Sequence, residues 1–283
     1  MMMEKERTKL VPMPAWTRHN VEWPTVLFFF VVMAVFAFSW VGFFLWRGPM
    51  WVISPILNTA CVYASFTVIH EASHRNIFRD RDSLGNDLMG FFAGIAMHGA
   101  FEQFIGIHLK HHASVNNPNE DPDYHARGPI SVSKLFVWML TVPHYFYEFS
   151  RLKLMRGRNL FLLVIPYVFL CGLYAAAFVY NLLPELLLLY TLPAGLGVCI
   201  TVFVFDYLPH HPHADTSRYG NATVYDVPRW NWFFMGHSFH IVHHLWPSIP
   251  WYRYRDVYQE ARTQLLEAGV REATVKQQIE LSL

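Results

Sequence analysis

The stretch MWVISPILNTACVYASFTVIHEASH, residues 50–74, decides how the rest of the chain is read. Residues 50–69 carry no charged side chain, and about twenty apolar residues of helix cross a hydrocarbon core of about 30 Å. The run then passes without a break into His70 and His74, which stand at i and i+4 and so share one helical face. A membrane helix with two imidazoles at its mouth is the result.

Three further segments, 25–46, 160–180 and 186–205, have the same length and character. The chain of 283 residues is 53% hydrophobic and 15% charged, well below the roughly 25% charged residues of soluble domains. An all-α integral membrane protein with four transmembrane helices is therefore expected, as one domain over 1–283. The first segment is too long and too uninterrupted for a cleaved signal peptide. Of the 22 Lys and Arg, four lie in the arm before it, ten in 70–159 and seven after Asp206, which leaves Arg47 alone for the opposite side. By the positive-inside rule both termini and a helical cap, 70–159 with 206–283, face the cytoplasm.

The histidines fall on that side. His108, His111 and His112 stand at i, i+3 and i+4; His240, His243 and His244 repeat the spacing; Asp206 and His210 close the fourth span at i and i+4. His240, His243 and His244 share one helical face and can converge on a single point, to which the other sets are expected to bring similar faces. Nine imidazoles exceed the four ligands of one structural zinc, so the cap is expected to hold two metal ions. Imidazole suits zinc, copper, iron and nickel alike, and these residues do not choose among them. His237, which shares the His240 face, and Asp206 are further candidate ligands. His19, His98, His125 and His144 read as hydrogen-bonded structural histidines, and His211 and His213, near Pro212, Gly220 and Pro228, lie on no regular face. Cys61, Cys171 and Cys199 sit inside spans as small apolar residues.

Two other chemistries use parts of this pattern. His70-Glu71-Ala72-Ser73-His74 matches the HExxH of zinc metalloproteases, whose glutamate is the general base, but that reading leaves the other two sets idle. A metal transporter would place its ligands near the bilayer midplane, not past the span ends. No basic run interleaved with aromatics suggests nucleic acid.

Between these landmarks, residues 1–20 read as a loosely ordered arm. Residues 84–107 are apolar but interrupted by Asn86, Asp87, His98, Glu102 and Gln103, which suits a re-entrant or cytoplasmic helix under the second set. The loop after His112 brings Asp121 and Asp123 within reach of imidazoles. Residues 129–149 read as an interfacial helix, and the tail from Arg253 as a peripheral amphipathic helix.

HEASH after a span, HLKHH and HIVHH together resemble the three histidine boxes of the integral-membrane fatty acid desaturase and hydroxylase superfamily. HLKHHASVNNPNEDPD, FDYLPHHPH and above all Trp246 to Tyr252, WPSIPWY, resemble the beta-carotene hydroxylases of cyanobacterial type within it. Glu71 and His237 depart from that pattern, where Asp and Gln are more usual. The resemblance implies a four-helix stem, a cap holding two iron ions, and oxygen-dependent 3-hydroxylation of beta-carotene rings towards zeaxanthin. It also implies a carotenoid drawn from the surrounding membrane lipid and an external electron donor such as ferredoxin. Carried onto this chain, the catalytic metal ligands are His70, His74, His108, His111, His112, His210, His240, His243 and His244. Glu71 and Asp121 would fix imidazole tautomers from behind. A fatty acyl desaturase or hydroxylase of the same superfamily is the alternative.

Overall fold

The computed structural model describes residues 10–17, 19–79, 84–155, 159–227 and 229–280. The first nine residues of the arm, and Pro228, lie outside them. The helices run α1 (Trp23–Trp46), α2 (Met50–Ser73), α3 (Leu84–Ala96), α4 (Phe101–Ser114), α5 (Val132–Met139), α6 (Thr141–Arg151), α7 (Leu160–Val179), α8 (Leu183–His210), α9 (His240–Leu245), α10 (Tyr254–Glu267) and α11 (Val275–Glu280). Among them α1, α2, α7 and α8 are long and apolar enough to cross a membrane.

Their faces show why they associate. On α1 the apolar Leu27, Phe30, Val31 and Phe38 are exposed while Val26, Phe29 and Val32 are buried, a division that suits lipid on one side and protein on the other. The central span α2 is packed between α1, α3 and α8. A Cβ at Gly197 of α8 would sit 2.6 Å from Val62 Cβ and 2.9 Å from the Thr59 carbonyl, so α2 and α8 touch nearly backbone to backbone.

The fourth span is regular only in part. It contains two π-helical turns, Leu187–Thr191 and Val202–Tyr207. At the first, Asn58 Nδ2 of α2 donates to the Leu189 carbonyl at 2.7 Å, while Ser39 Oγ donates to Asn58 Oδ1. A backbone carbonyl in hydrocarbon needs such a donor. Asn58→Leu should therefore cost about 1–3 kcal/mol, the usual loss when a buried acceptor is left unpaired. Thermal denaturation in detergent, with Val168→Leu on the lipid face as reference, measures it.

The cap departs from expectation at both chain ends. The arm is not loose where it is described: Val11 N donates to Tyr219 Oη at 2.9 Å, and the Arg79 guanidinium lies 4.7 Å over the Trp16 ring. Nor is the tail peripheral. Tyr254, Val257, Tyr258, Ala261 and Leu265 of α10 are buried at helical spacing against Phe239, Ile241, Val242 and Ile249. The tail has the expected apolar stripe, but a second core covers it. Strands β1 (Thr223–Val224) and β2 (Arg271–Glu272) pair in parallel and clamp this unit.

α3 and α4 meet at 94°, with the turn at His98, whose φ is +63°. α5 and α6 expose Val132, Phe136, Leu140 and Phe146, as a helix pair lying in an interface does. The span limits also shift. α2 continues through His70 to Ser73, and α8 starts at Leu183 and ends on His210, because the helical backbone outlasts the apolar composition.

Candidate metal centre

The histidines assemble into two groups of four. His70 and His74 from the end of α2, His108 from α4 and His243 from α9 have ligand atoms within 4.8 Å of one another; so do His111, His210, His240 and His244. His240, His243 and His244 do not meet at one point, and neither do His108, His111 and His112. α4 gives His108 to the first group and His111 to the second, and α9 gives His243 to the first and His240 and His244 to the second. Each helix lies across both groups, and its histidine face is wide enough to serve both.

His112 stands between them. Its Nε2 is 3.1 Å from that of His108 and 2.7 Å from that of His243, and its ring centroid is 4.6 Å from His244.

These contacts do not work as hydrogen bonds. The Nε2 atoms of His74, His108, His112, His243 and His70 form a chain with successive separations of 2.8, 3.1, 2.7 and 3.0 Å. A neutral imidazole nitrogen carries either one hydrogen or one lone pair, yet three of these five have two partners. Bound cations would resolve the conflict: with metal–nitrogen bonds of about 2.0–2.1 Å, neighbouring ligand atoms stand roughly 2.9–3.4 Å apart, a range that takes in the 3.1 and 3.0 Å separations, while those of 2.8 and 2.7 Å are slightly closer. The His210 and His244 Nε2 atoms, 3.3 Å apart in the second group, fit the same edge. An all-imidazole donor set of this kind suits iron, zinc or copper, so the residues fit the two irons that the superfamily resemblance implies.

The outward nitrogens are held from behind. His111 Nδ1 lies 2.9 Å from Asp121 and 3.3 Å from Asp123, and His210 Nδ1 donates to the Asn221 carbonyl at 2.8 Å. Tyr254 Oη takes His243 Nδ1 at 3.2 Å and gives its hydrogen to Glu71 at 3.3 Å; Glu71 is also 3.4 Å from His70 Nδ1. Such partners fix the ring that presents Nε2 inward. Burial would raise Asp121, but His111 and the amides of Asp123 and Asn116 outweigh it and hold this carboxyl below its usual range. Burial pushes Asp123 up to about 6 against the pull of His111, and Tyr145 Oη donates to it at 2.5 Å. Glu71 sits on the Nδ1 side, away from the converging nitrogens, where the general base of a metalloprotease would have no access to a metal-bound water.

The two further candidates, His237 and Asp206, belong to neither group of four. His237 is fully buried with Nδ1 3.2 Å from His240 Nδ1. Asp206 falls in the second π turn, Val202–Tyr207, and lines the cavities beside the centre. Among the other histidines, His98 bonds Tyr174 at 2.7 Å and His125 bonds Thr141 at 3.0 Å; the His144 ring lies tilted against His125 with centroids 4.3 Å apart, and His19 is exposed. His211 and His213 are buried beside the end of α8. Tyr254, Tyr145 and Asn221 were not anticipated: a backbone carbonyl carries no sequence signal, and the two tyrosines lack a histidine-like spacing.

A chain of cavities leads to this centre. An outer one of about 760 Å³ is lined by exposed Leu140, Phe146, Leu187 and Leu192 and by Met97, Val142 and Val198. The last three also line an inner cavity of about 40 Å³ with Phe66, Phe104, Tyr145 and Asp206. These four in turn line a pocket of about 10 Å³, room for roughly one water, against His108, His111 and His240.

Comparison with known proteins gives two matches. Zeaxanthin 4-ketolase of Chlamydomonas reinhardtii is 28% identical over 213 residues, which is 72% of this chain and 43% of that protein. The chain thus spans under half the length of that relative. The fatty acid desaturase family model matches residues 49–276, a range that takes in both histidine groups. The chain belongs to the fatty acid desaturase family.

Proposed function

We propose that the chain is an oxygen-dependent membrane oxygenase that hydroxylates the beta-ionone ring of beta-carotene at carbon 3. The observation that carries this reading is a series of three cavities with shared lining residues, from the outer one among exposed apolar side chains to the pocket touched by ligands of both histidine groups, the inner two of which must widen to admit a ring. A ring at the end of a long hydrocarbon enters such a route from lipid without crossing water.

The nine histidines would hold two irons, which supply an oxidant able to take hydrogen from an unactivated ring carbon. The balance is one ring C–H, one dioxygen, two electrons and two protons, giving one hydroxyl and one water. Phe66 and Phe104 flank the path at its inner end, Phe104 stacking on His108 with centroids 5.3 Å apart, and hold the ring against the centre while excluding bulk water. Asp121, Asn221 and Tyr254 keep the imidazoles aimed inward. The electrons come from a separate carrier of ferredoxin type that approaches the cap from the cytoplasm, the side on which both termini lie in this reading.

The name of the algal relative favours a second reading, introduction of a keto group on a ring already hydroxylated. One experiment separates these and the acyl alternative. In a bacterial host that accumulates beta-carotene, the chain should yield mono- and dihydroxylated pigments. Ketone-bearing pigments would favour the second reading. Unchanged carotene with altered lipid unsaturation would overturn both in favour of an acyl substrate.

A further inference from the structure

Six of the nine histidines are buried, but His74, His112 and His244 are half-buried. Two of these, His112 and His244, line a cavity of about 420 Å³ that shares no lining residue with the three described above and opens among the exposed Glu120, Thr216 and Arg218. One wall is the end of α4 with the loop after it, and the other is the loop that follows α8. Asn116 fastens the two together, its Nδ2 donating to the carbonyls of Asp215 at 2.7 Å and Asn221 at 3.0 Å. Ser114, Asn117, Glu120, Thr216 and Asn221 bring side-chain oxygens to the walls, and Asn221 Oδ1 is buried without a partner among the described residues. The cavities on the substrate side are of the opposite kind. They start among apolar side chains and narrow to about 40 and about 10 Å³. A divalent ion with about six waters, at ~30 Å³ each, occupies about 180 Å³. The polar cleft holds it whole, whereas the other route would strip it in apolar surroundings, which is costly.

We propose that this cleft is the metal-loading port of the protein, a site that takes hydrated iron(II) from solution and passes it to His112 and His244. The inference rests on the two-iron reading and adds how the ions arrive. His112 suits a transfer role because it stands between the two groups, its Nε2 2.7 Å from that of His243 and its ring centroid 4.6 Å from that of His244. Imidazole suits iron better than the oxygens of the walls do, so transfer runs inward. Arg218 opposes entry: Lys110 is matched by Glu120 at 2.5 Å, whereas Arg218 makes no ion pair among the described residues and leaves its charge at the rim.

Iron exchange by the purified full chain tests this, read first as release to a ferrous chelator and then as uptake of iron(II) by the stripped protein. Thr216→Cys, alkylated with a bulky maleimide after folding, should slow both by about tenfold or more, a rise in barrier well below the cost of stripping an ion in apolar surroundings. Its final iron content should match that of wild type, which is given the same reagent to control for the native cysteines. Arg218→Glu should speed uptake about three- to tenfold at low salt, with the gain shrinking as salt screens the rim. Val198→Trp, in the neck of the other route, should alter neither rate. Unchanged exchange in the alkylated protein overturns the port, as does exchange slowed by Val198→Trp instead, or uptake that Arg218→Glu leaves unchanged or slows. In each of these cases the protein still holds iron, and the oxygenase reading stands. A chain that neither carries nor takes up iron overturns the metal centre and the port together.

Discussion

His243→Ala is expected to abolish turnover and to lower the iron content of the purified protein from the two per chain proposed above to one or none. The side chain is the most connected of the set. Its Nε2 lies 3.0 Å from that of His70 and 2.7 Å from that of His112, and its Nδ1 is the partner of Tyr254, which itself bonds Glu71. Removing it opens the first group and also frees the tyrosine that braces it. Loss of an outer partner of a metal-bound imidazole costs roughly 10–100-fold in affinity or activity, so loss of the imidazole itself should exceed that. His98→Ala is the contrast. That histidine bonds Tyr174 at the bend between α3 and α4 and belongs to neither group, so both irons should remain. Iron analysis of the two variants decides it, and equal loss in both would show that the division between grouped and structural histidines is wrong.

Which histidines lie close together was largely legible in the sequence, because a helix that offers several side chains to one site repeats i, i+3 and i+4. The assignment of each histidine to a group was not. One face of α4 serves both groups, and only the placement of α4 across α2 and α9 determines that His108 joins His70 while His111 joins His210. The four spans were legible from composition, but not the π turns of α8, which depend on packing and on a donor, Asn58, from another helix.

The Trp246 to Tyr252 run shows the limit of likeness as a guide to position. It carried the resemblance to carotenoid hydroxylases, yet its side chains line none of the cavities that lead to the metal centre. Trp251 Nε1 donates to Thr25 at 3.1 Å, Tyr252 Oη donates to Glu22 at 2.5 Å, and the Pro247 carbonyl accepts from Asn76 at 2.8 Å. The run fastens the start of α1 and the end of α2 to α9. The walls a substrate would touch come instead from the α3–α4 bend, α6 and α8, segments whose composition looks like ordinary membrane-protein surface. Proximity in space brings them around shared cavities, and sequence spacing has no record of that.

Val198→Trp should therefore cut pigment turnover by about a hundredfold while leaving both irons in place. Val198 is 3% exposed and, with Met97 and Val142, is shared by the outer and inner cavities. It marks the neck between about 760 Å³ and about 40 Å³ of space, and an indole there leaves no passage for a ring. Displacing a substrate by even about 1 Å can cost about a hundredfold, and a blocked neck keeps the ring from the histidines altogether. Overpacking itself costs about 1–3 kcal/mol, so the melting temperature is measured with the iron content. Val168→Trp, at a residue 60% exposed on α7, supplies the same bulk away from the route and should change neither quantity. A Val198→Trp protein that keeps its irons and still turns over pigment at the wild-type rate would mean that the substrate enters by another path. Loss confined to the neck variant ties the exposed apolar cavity to the metal centre as one working channel.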